Sequence, residues 1–481
     1  MADKPLLRTR NIVLGLTLAI ALLVGWVILR AVTARPGPLV DYHQKMYELS
    51  AAAQPPGPDQ WQTFGGALDA ATATLSDAGK PPMDVIYTSP EAYGESWAED
   101  HALALEAMRQ IRDEGIFEHT ARLLQVDKAV RPPAEGPVFL TLLPYLGDSR
   151  LVARTQMARM RLAWDAGETG EIASAAEEAL ALGRIVGAQT TLIDHLVGIA
   201  IHALVAKEIR RGLVRDPLED IETLARLDAA LQRHALGPLA VALEGERCCQ
   251  MDAIQRLYTD DGDGDGRLIL SRLDDIASWG AGSPVPSGLA DASIINVASA
   301  LFPSRRETVA QLDAYFDPVI AESQLARHAR PRPGFDTDAY IMSLPRRQIL
   351  LRILIPAIGS SLEGRDALDT ELAGTRLMLR LEMYRLRTGA APRTLAELAA
   401  ADPGASIIDP MTGEPFLYTP LIDDPAGRPY LLYSAGANGR DDGAAEHPKG
   451  EHQALRDPQT AADFVLNPAP AEDLARDSMF R

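Results

Sequence analysis

At 481 residues the chain is too long for one hydrophobic core, so two or three folding units are expected. Hydrophobic residues make up 47% and charged residues 23%, an ordinary globular composition that argues against a disordered or many-span protein. A net charge of −19 opposes nucleic-acid phosphates and anionic lipid surfaces, so no nucleic-acid partner is expected.

The low aromatic share, 5%, beside abundant Ala and Leu favours helix over sheet. The expected fold is mainly α. It comprises an N-terminal transmembrane helix, a multi-helix bundle or tetratricopeptide-like hairpins, and a small C-terminal α+β module with short antiparallel strands. The only cysteines, Cys248 and Cys249, are adjacent, and a bridge between neighbours closes a strained ring. Both are read as thiols packed on a helix, so stability does not rest on disulfides.

The chain begins with a short tail, 1–11, in which Lys4, Arg8 and Arg10 outweigh Asp3. Residues 12–29 then read IVLGLTLAIALLVGWVIL, an uncharged run of roughly 27 Å at the helical rise, close to a bilayer's hydrocarbon thickness. Ala31 and Val32 extend it if Arg30 snorkels, and Trp26 suits the interface. A transmembrane helix over 12–32 follows, with the lipid bilayer as its partner. The positive-inside rule keeps the tail cytoplasmic and exports the body, giving a single-pass protein of the cytoplasmic membrane. A cleavable signal peptide is the alternative, since Val32-Thr33-Ala34 carries the small residues a signal peptidase accepts. Gly15-Leu16-Thr17-Leu18 resembles the start of a pilin-type anchor, although the position of that family's acidic residue holds Ile20.

Residues 33–365 are expected to form an exported helical region broken at Pro and Gly clusters. The clearest pair of helices spans 150–164 and 170–186, with Asp165-Ala166-Gly167 as the turn. With Ala158, Ala163 and Ala173 it resembles a single tetratricopeptide-like unit, and no second copy follows at constant spacing. Asp194, His195 and His202 share the next helix, the histidines seven positions apart and so on one face. Without a third ligand at helical spacing, packing histidines are preferred to a metal or proton-transfer role.

Within 259–272, Asp261, Asp263 and Asp265 occupy loop positions one, three and five of an EF-hand, with Gly266 at six and the carbonyl of Arg267 at seven. Alternate residues of such a loop aim oxygens at a common centre, and the cation such a site takes is Ca2+. An entering helix over 239–258 and a leaving helix over 270–279 are expected. Position twelve is Arg272 instead of the closing Glu, with Asp274 and Asp275 displaced beyond it. An Asp/Gly run building a solvated turn is the alternative.

A helix starts near Asp366, and from Ile407 the pattern turns to short strands, Phe416-Leu417-Tyr418 and Tyr430-Leu431-Leu432-Tyr433. Within an expected α+β module over 366–466, several stretches between about Glu371 and Leu466 fall in a recognisable order. Leu381-Glu382-Met383-Tyr384-Arg385, Gly389 and Pro392 come first, then Asp409-Pro410-Met411-Thr412-Gly413-Glu414-Pro415-Phe416-Leu417-Tyr418. They are followed by Tyr430-Leu431-Leu432-Tyr433-Ser434-Ala435-Gly436-Ala437-Asn438-Gly439 and Asp441-Asp442-Gly443. This segment, about a fifth of the chain, resembles the C-terminal half of the major pseudopilin of type II secretion. The resemblance implies a helix feeding a small antiparallel sheet and a Ca2+ ion on the final loop, held by Asp441 and Asp442 with Asp463 as a later ligand. In pseudopilins the anchor runs straight into this module, whereas here more than three hundred residues intervene. Residues 467–481 are read as a flexible tail.

No Gly-x-Ser-x-Gly elbow, phosphate-binding loop, dinucleotide fingerprint or zinc spacing occurs in the sequence. The expected function is a non-enzymatic, membrane-anchored envelope protein, a helical scaffold with calcium-stabilised loops and envelope or secretion-system proteins as partners. The alternatives are an exported hydrolase using dispersed carboxylates and a secretion-system accessory protein.

Overall fold

A computed structural model describes residues 4–37, 40–80, 82–88, 93–273, 299, 301–355 and 358–469. Helix α1 (Lys4–Val32) contains the apolar run, and none of Val13–Arg30 is buried in the protein. Large apolar side chains cover it on all sides; Leu14 is 70% and Leu22 66% exposed. A helix apolar all round belongs in a core or a membrane.

The body is mainly helical, as expected. Helices α2 (Tyr42–Ala53), α3 (Trp61–Asp77), α4 (Trp97–Asp113) and α5 (Ile116–Ala121) precede a central group. That group is α6 (Tyr145–Ala166), α7 (Thr169–Gly187), α8 (Leu192–Arg215) and α9 (Ile221–Arg233). The hairpin read at 150–164 and 170–186 is α6 and α7, and its turn is made at Gly167, whose φ of 68° requires the left-handed region. Glu168 N–H then closes on the Ala163 carbonyl at 2.8 Å.

Helix α7 lies between neighbours on most of its faces, and its fully buried Ala173, Ala175, Ala176 and Ala179 let α6, α8 and α9 approach. The backbones come close at Gly187 of α7 and Gly198 of α8, where a Cβ added at Gly198 would stand 2.8 Å from the Gly187 Cα. Helix α8 opens with a reciprocal cap. Asp194 N–H donates to Thr191 Oγ1, and the Asp194 carboxylate accepts from the Thr191 backbone.

Helices α10 (Leu239–Leu257), α11 (Arg305–Ser323), α12 (Thr337–Ser343) and α13 (Ile349–Leu354) enclose a second core around Tyr315 and Phe316. A third core gathers α3 to α5 against α6.

Helix α14 (Gly359–Thr388) starts seven residues before the Asp366 read from the sequence, and it packs on α8 and α9. The short α15 (Leu395–Ala401) leads into a three-stranded antiparallel sheet of β1 (Leu417–Pro420), β2 (Tyr430–Ser434) and β3 (Phe464–Val465), in that order. Leu417 pairs with Tyr433 and Tyr433 with Val465. The strands expected at 416–418 and 430–433 are present. Phe464-Val465, expected only as the neighbourhood of a ligand, is the third. The core is continuous across residue 366: Leu379, Leu381, Leu432 and Phe464 belong to the same cluster as Trp164 and Ile209. Cys248 and Cys249 are free thiols on α10, half-buried and buried respectively.

Candidate functional site

The Asp/Gly run folds as a tight hairpin rather than an open ligand arc. Tyr258 bridges to Leu268 and Gly262 to Asp265, and Gly262 and Gly264 take the positive φ that the turn needs. The carbonyl of Arg267, read as the seventh-position ligand, accepts from Thr259 N–H at 2.9 Å across the hairpin. The carboxylates of Asp261 and Asp265 turn to arginines and amides. Asp261 lies 3.0 Å from the Arg30 guanidinium and 3.2 Å from that of Arg267. Asp265 accepts from the amides of Gly266 and Arg306, and the Arg306 guanidinium donates to the Asp263 carbonyl at 2.9 Å.

Helix α10 enters as read. After the loop, Leu270–Arg272 form a 3-10 turn and Leu273 is helical, and the remainder of the leaving helix expected over 270–279 lies outside the described residues. Arg272, at position twelve, donates to the Arg256 carbonyl at the end of α10, a cation capping a helix C-terminus. Asp274 and Asp275 lie outside the described residues. The Asp261 and Asp265 carboxylates and the Arg267 carbonyl, three of the oxygens that an EF-hand would use, thus already have partners within the protein.

The second acidic loop differs. It lies in the connection 435–463, where Gly439 takes a φ of 65° in the Asn438-Gly439 turn. Asp463 Oδ2 accepts from the amides of Asp442 and Ala444, at 3.0 and 2.7 Å. Its Oδ1 is buried with no hydrogen-bond partner. Asp442 accepts from Asn438 Nδ2, and Asp441 from the Tyr433 hydroxyl. Burial, and then the charges of Asp442 and Asp441, push the Asp463 carboxyl up to about 6. An orphaned oxygen beside two repelling carboxylates fits a hard cation. No three His, Cys, Asp or Glu side chains converge on one point among the described residues, so backbone carbonyls would have to complete its shell.

The histidine face is buried. Both ring nitrogens of His202 lie near carbonyl oxygens, Gly198 at 2.8 Å and His234 at 2.7 Å, and a neutral imidazole donates to only one of them. His195 Nδ1 lies 3.1 Å from the Gly187 carbonyl, and its Nε2 has no partner. Burial and the charge of Arg365 hold its pKa down at about 4, so it is neutral at pH 7. Asp194 accepts from the Tyr145 hydroxyl at 2.5 Å.

Sequence reading missed a cluster of buried charges where α8, α14 and the 3-10 turn Glu451–Leu455 meet. Glu371 on α14 lies 2.7 Å from His452 Nδ1 and 3.6 Å from the Arg210 guanidinium of α8. Lys207 Nζ reaches Glu451 at 2.8 Å, while Arg210 donates to Thr375 and lies over the Phe464 ring. Lys207, Arg210, Glu371 and His452 are all buried. Burial disfavours the charge on both members of the central pair. The attraction of His452 nevertheless holds Glu371 below its usual range, and Glu371 and Glu451 hold His452 above its own.

A raised imidazole pKa stabilises the fold below its ordinary value of 6.5, and that contribution is lost as pH rises through the higher folded value. The lowered Glu371 contributes above its ordinary 4.5 and loses its effect as pH falls. The contribution of this pair is therefore expected to peak between those values. In melting curves recorded against pH, His452→Gln should flatten the decline on the alkaline side; an unchanged slope would remove His452 as its source.

A hollow of about 330 Å³ is lined by Arg112, Gly115, Phe117, Glu118, Arg159, Glu168 and Glu171. The Arg159 guanidinium stacks on Phe117 at 4.1 Å and pairs with Glu171 and Glu178 at 2.8 and 3.0 Å. Glu178, whose pKa burial raises, accepts from Thr120, Gln156 and Arg159 and is not among the residues lining the hollow.

No family model, curated protein or solved structure matches this chain. The reading of its function therefore rests on its own residues.

Proposed function

We propose that the chain is a single-pass envelope protein whose helical body is a scaffold held at the outer face of the cytoplasmic membrane. One observation carries this reading. Eleven large apolar side chains from Val13 to Leu29 stand exposed on α1. Leaving so many in water forgoes roughly 20 kcal/mol of burial, more than the net stability of an ordinary domain. The basic tail, Lys4, Arg8 and Arg10, favours a cytoplasmic N-terminus and an exported body. A protease added to sealed right-side-out vesicles should digest the body at once. Digestion only after lysis would reverse the orientation.

The order of a long helix, α14, then an antiparallel sheet and an acidic loop supports reading the C-terminal segment as a pseudopilin-like module. In it a calcium ion would be held by Asp441, Asp442 and Asp463, supplying positive charge where these carboxylates repel one another. Folding alone raises the pKa of Asp463, so without an ion the fold loses stability as pH rises from 3.8 to about 6. An ion that prefers the ionised carboxylate reverses this loss. Calcium should therefore raise the melting temperature more at pH 7.5 than at pH 5, and Asp463→Asn should remove most of the effect. Equal melting with calcium and with chelator at pH 7.5 would refute the ion.

A further inference from the structure

The last turn of α1 does not end in a free tether. Arg30 pairs with Asp261 at 3.0 Å, and Pro36 bridges to Thr259. Gln255 of α10 both donates to and accepts from the backbone of Val40, at 2.9 and 2.7 Å. Gly37 packs so closely on Asp260 that a Cβ there would stand 2.3 Å from the Asp260 Cβ. The segment leaving the membrane helix is thus held at several points along the hairpin and the end of α10.

This fixes the height of the hairpin. Arg30 closes the 18-residue apolar window, and a headgroup layer is only about 5–8 Å deep beyond the hydrocarbon. A carboxylate in contact with Arg30 must lie within that layer or directly upon it.

The surroundings are suited to that position. The body carries a large negative charge that would repel anionic headgroups, but around this hairpin arginines offset part of it. Arg30 and Arg267 neutralise Asp261, and the Arg306 amide and guanidinium cover Asp265 and the Asp263 carbonyl. Exposed leucines lie close in sequence to residues that contact the hairpin or the end of α10. Leu301, 76% exposed, lies four residues before Arg305, whose amide donates to the Gly266 carbonyl. Leu140 and Leu142, 47% and 86% exposed, follow Gly136 and Val138, which are tied to Arg256 and Asp252 of α10.

We infer that the 260–267 hairpin and these leucines form a membrane-apposed face resting in the phospholipid headgroup layer, so that the body rides on the bilayer in one orientation. This rests on the anchored reading above. The Asp/Gly run then serves as the seat for the end of the membrane helix, and its arginines meet lipid phosphates.

The test uses the full chain with Cys248→Ser, reconstituted in phosphatidylcholine vesicles with and without phosphatidylglycerol. A fluorophore is placed on Leu301→Cys, or on Ile422→Cys, an exposed position in the β1–β2 connection. Flotation of the vesicles is read first, then quenching by lipids brominated in their acyl chains. The expected result is quenching at 301 and none at 422. Adding Asp261→Asn and Gln255→Ala should weaken the quenching at 301 while the chain still floats. A chain that floats but leaves 301 as unquenched as 422 overturns this inference alone and returns the leucines to a protein partner. A chain that fails to float overturns the anchor together with it. Quenching unaffected by the double substitution overturns the role of the hairpin as the seat.

Discussion

Glu371→Ala is expected to destabilise the protein by about 3–5 kcal/mol, because it strips a buried pair of one partner and leaves the other charged. Glu371 is 2% exposed, and its removal takes away the carboxylate 2.7 Å from His452 Nδ1 and 3.6 Å from the buried Arg210, leaving Glu451 to face both charges. These groups come from three stretches of chain, so the loss falls on the joint between the C-terminal sheet and the central helices. Glu371→Gln should cost less, since an amide oxygen still accepts from the imidazole. Urea unfolding of the full chain in detergent, followed by circular dichroism, separates the two: equal midpoints for both variants would mean that charge is not what the cluster contributes.

Trp164→Ala should cost a similar amount, about 3–5 kcal/mol, for a different reason. Trp164 is 1% exposed at the end of α6, and its indole N–H donates to the Asp216 carbonyl at 2.9 Å. Its ring lies against Gly212 of α8 so closely that a Cβ there would stand 2.4 Å from it. Truncation opens a cavity between two long helices and orphans a carbonyl. The same unfolding experiment measures it, and a loss below about 1 kcal/mol would mean that the site collapses without a cavity.

What could be read from the sequence followed from local rules. The α6–α7 hairpin announced itself by apolar periodicity broken at Gly167, and the strands by their tyrosines and leucines between turn residues. The apolar run of α1 was visible from length and charge alone. The Asp261–Asp265 run is ambiguous in sequence because alternating Asp and Gly satisfy two geometries, a ligand arc and a tight hairpin. Arginines distant in sequence, Arg30 and Arg306, favour the hairpin. Arg272, where a liganding Glu belongs, was the local sign.

The buried cluster could not have been assembled from sequence, since Lys207, Arg210, Glu371, Glu451 and His452 meet only through tertiary packing. A faint signal existed, the run of Lys207, Glu208, Arg210 and Arg211 after the mostly apolar first half of α8. Buried charges on such a helix call for partners elsewhere.

The anchor carries the rest of the account, and its most direct test is an alkaline carbonate wash of membranes from cells making the full chain, with the mass of the retained product measured. Retention in the membrane at the full mass of residues 1–481 is the predicted result. Release into the supernatant, or a product shortened at the Val32-Thr33-Ala34 segment, would contradict it.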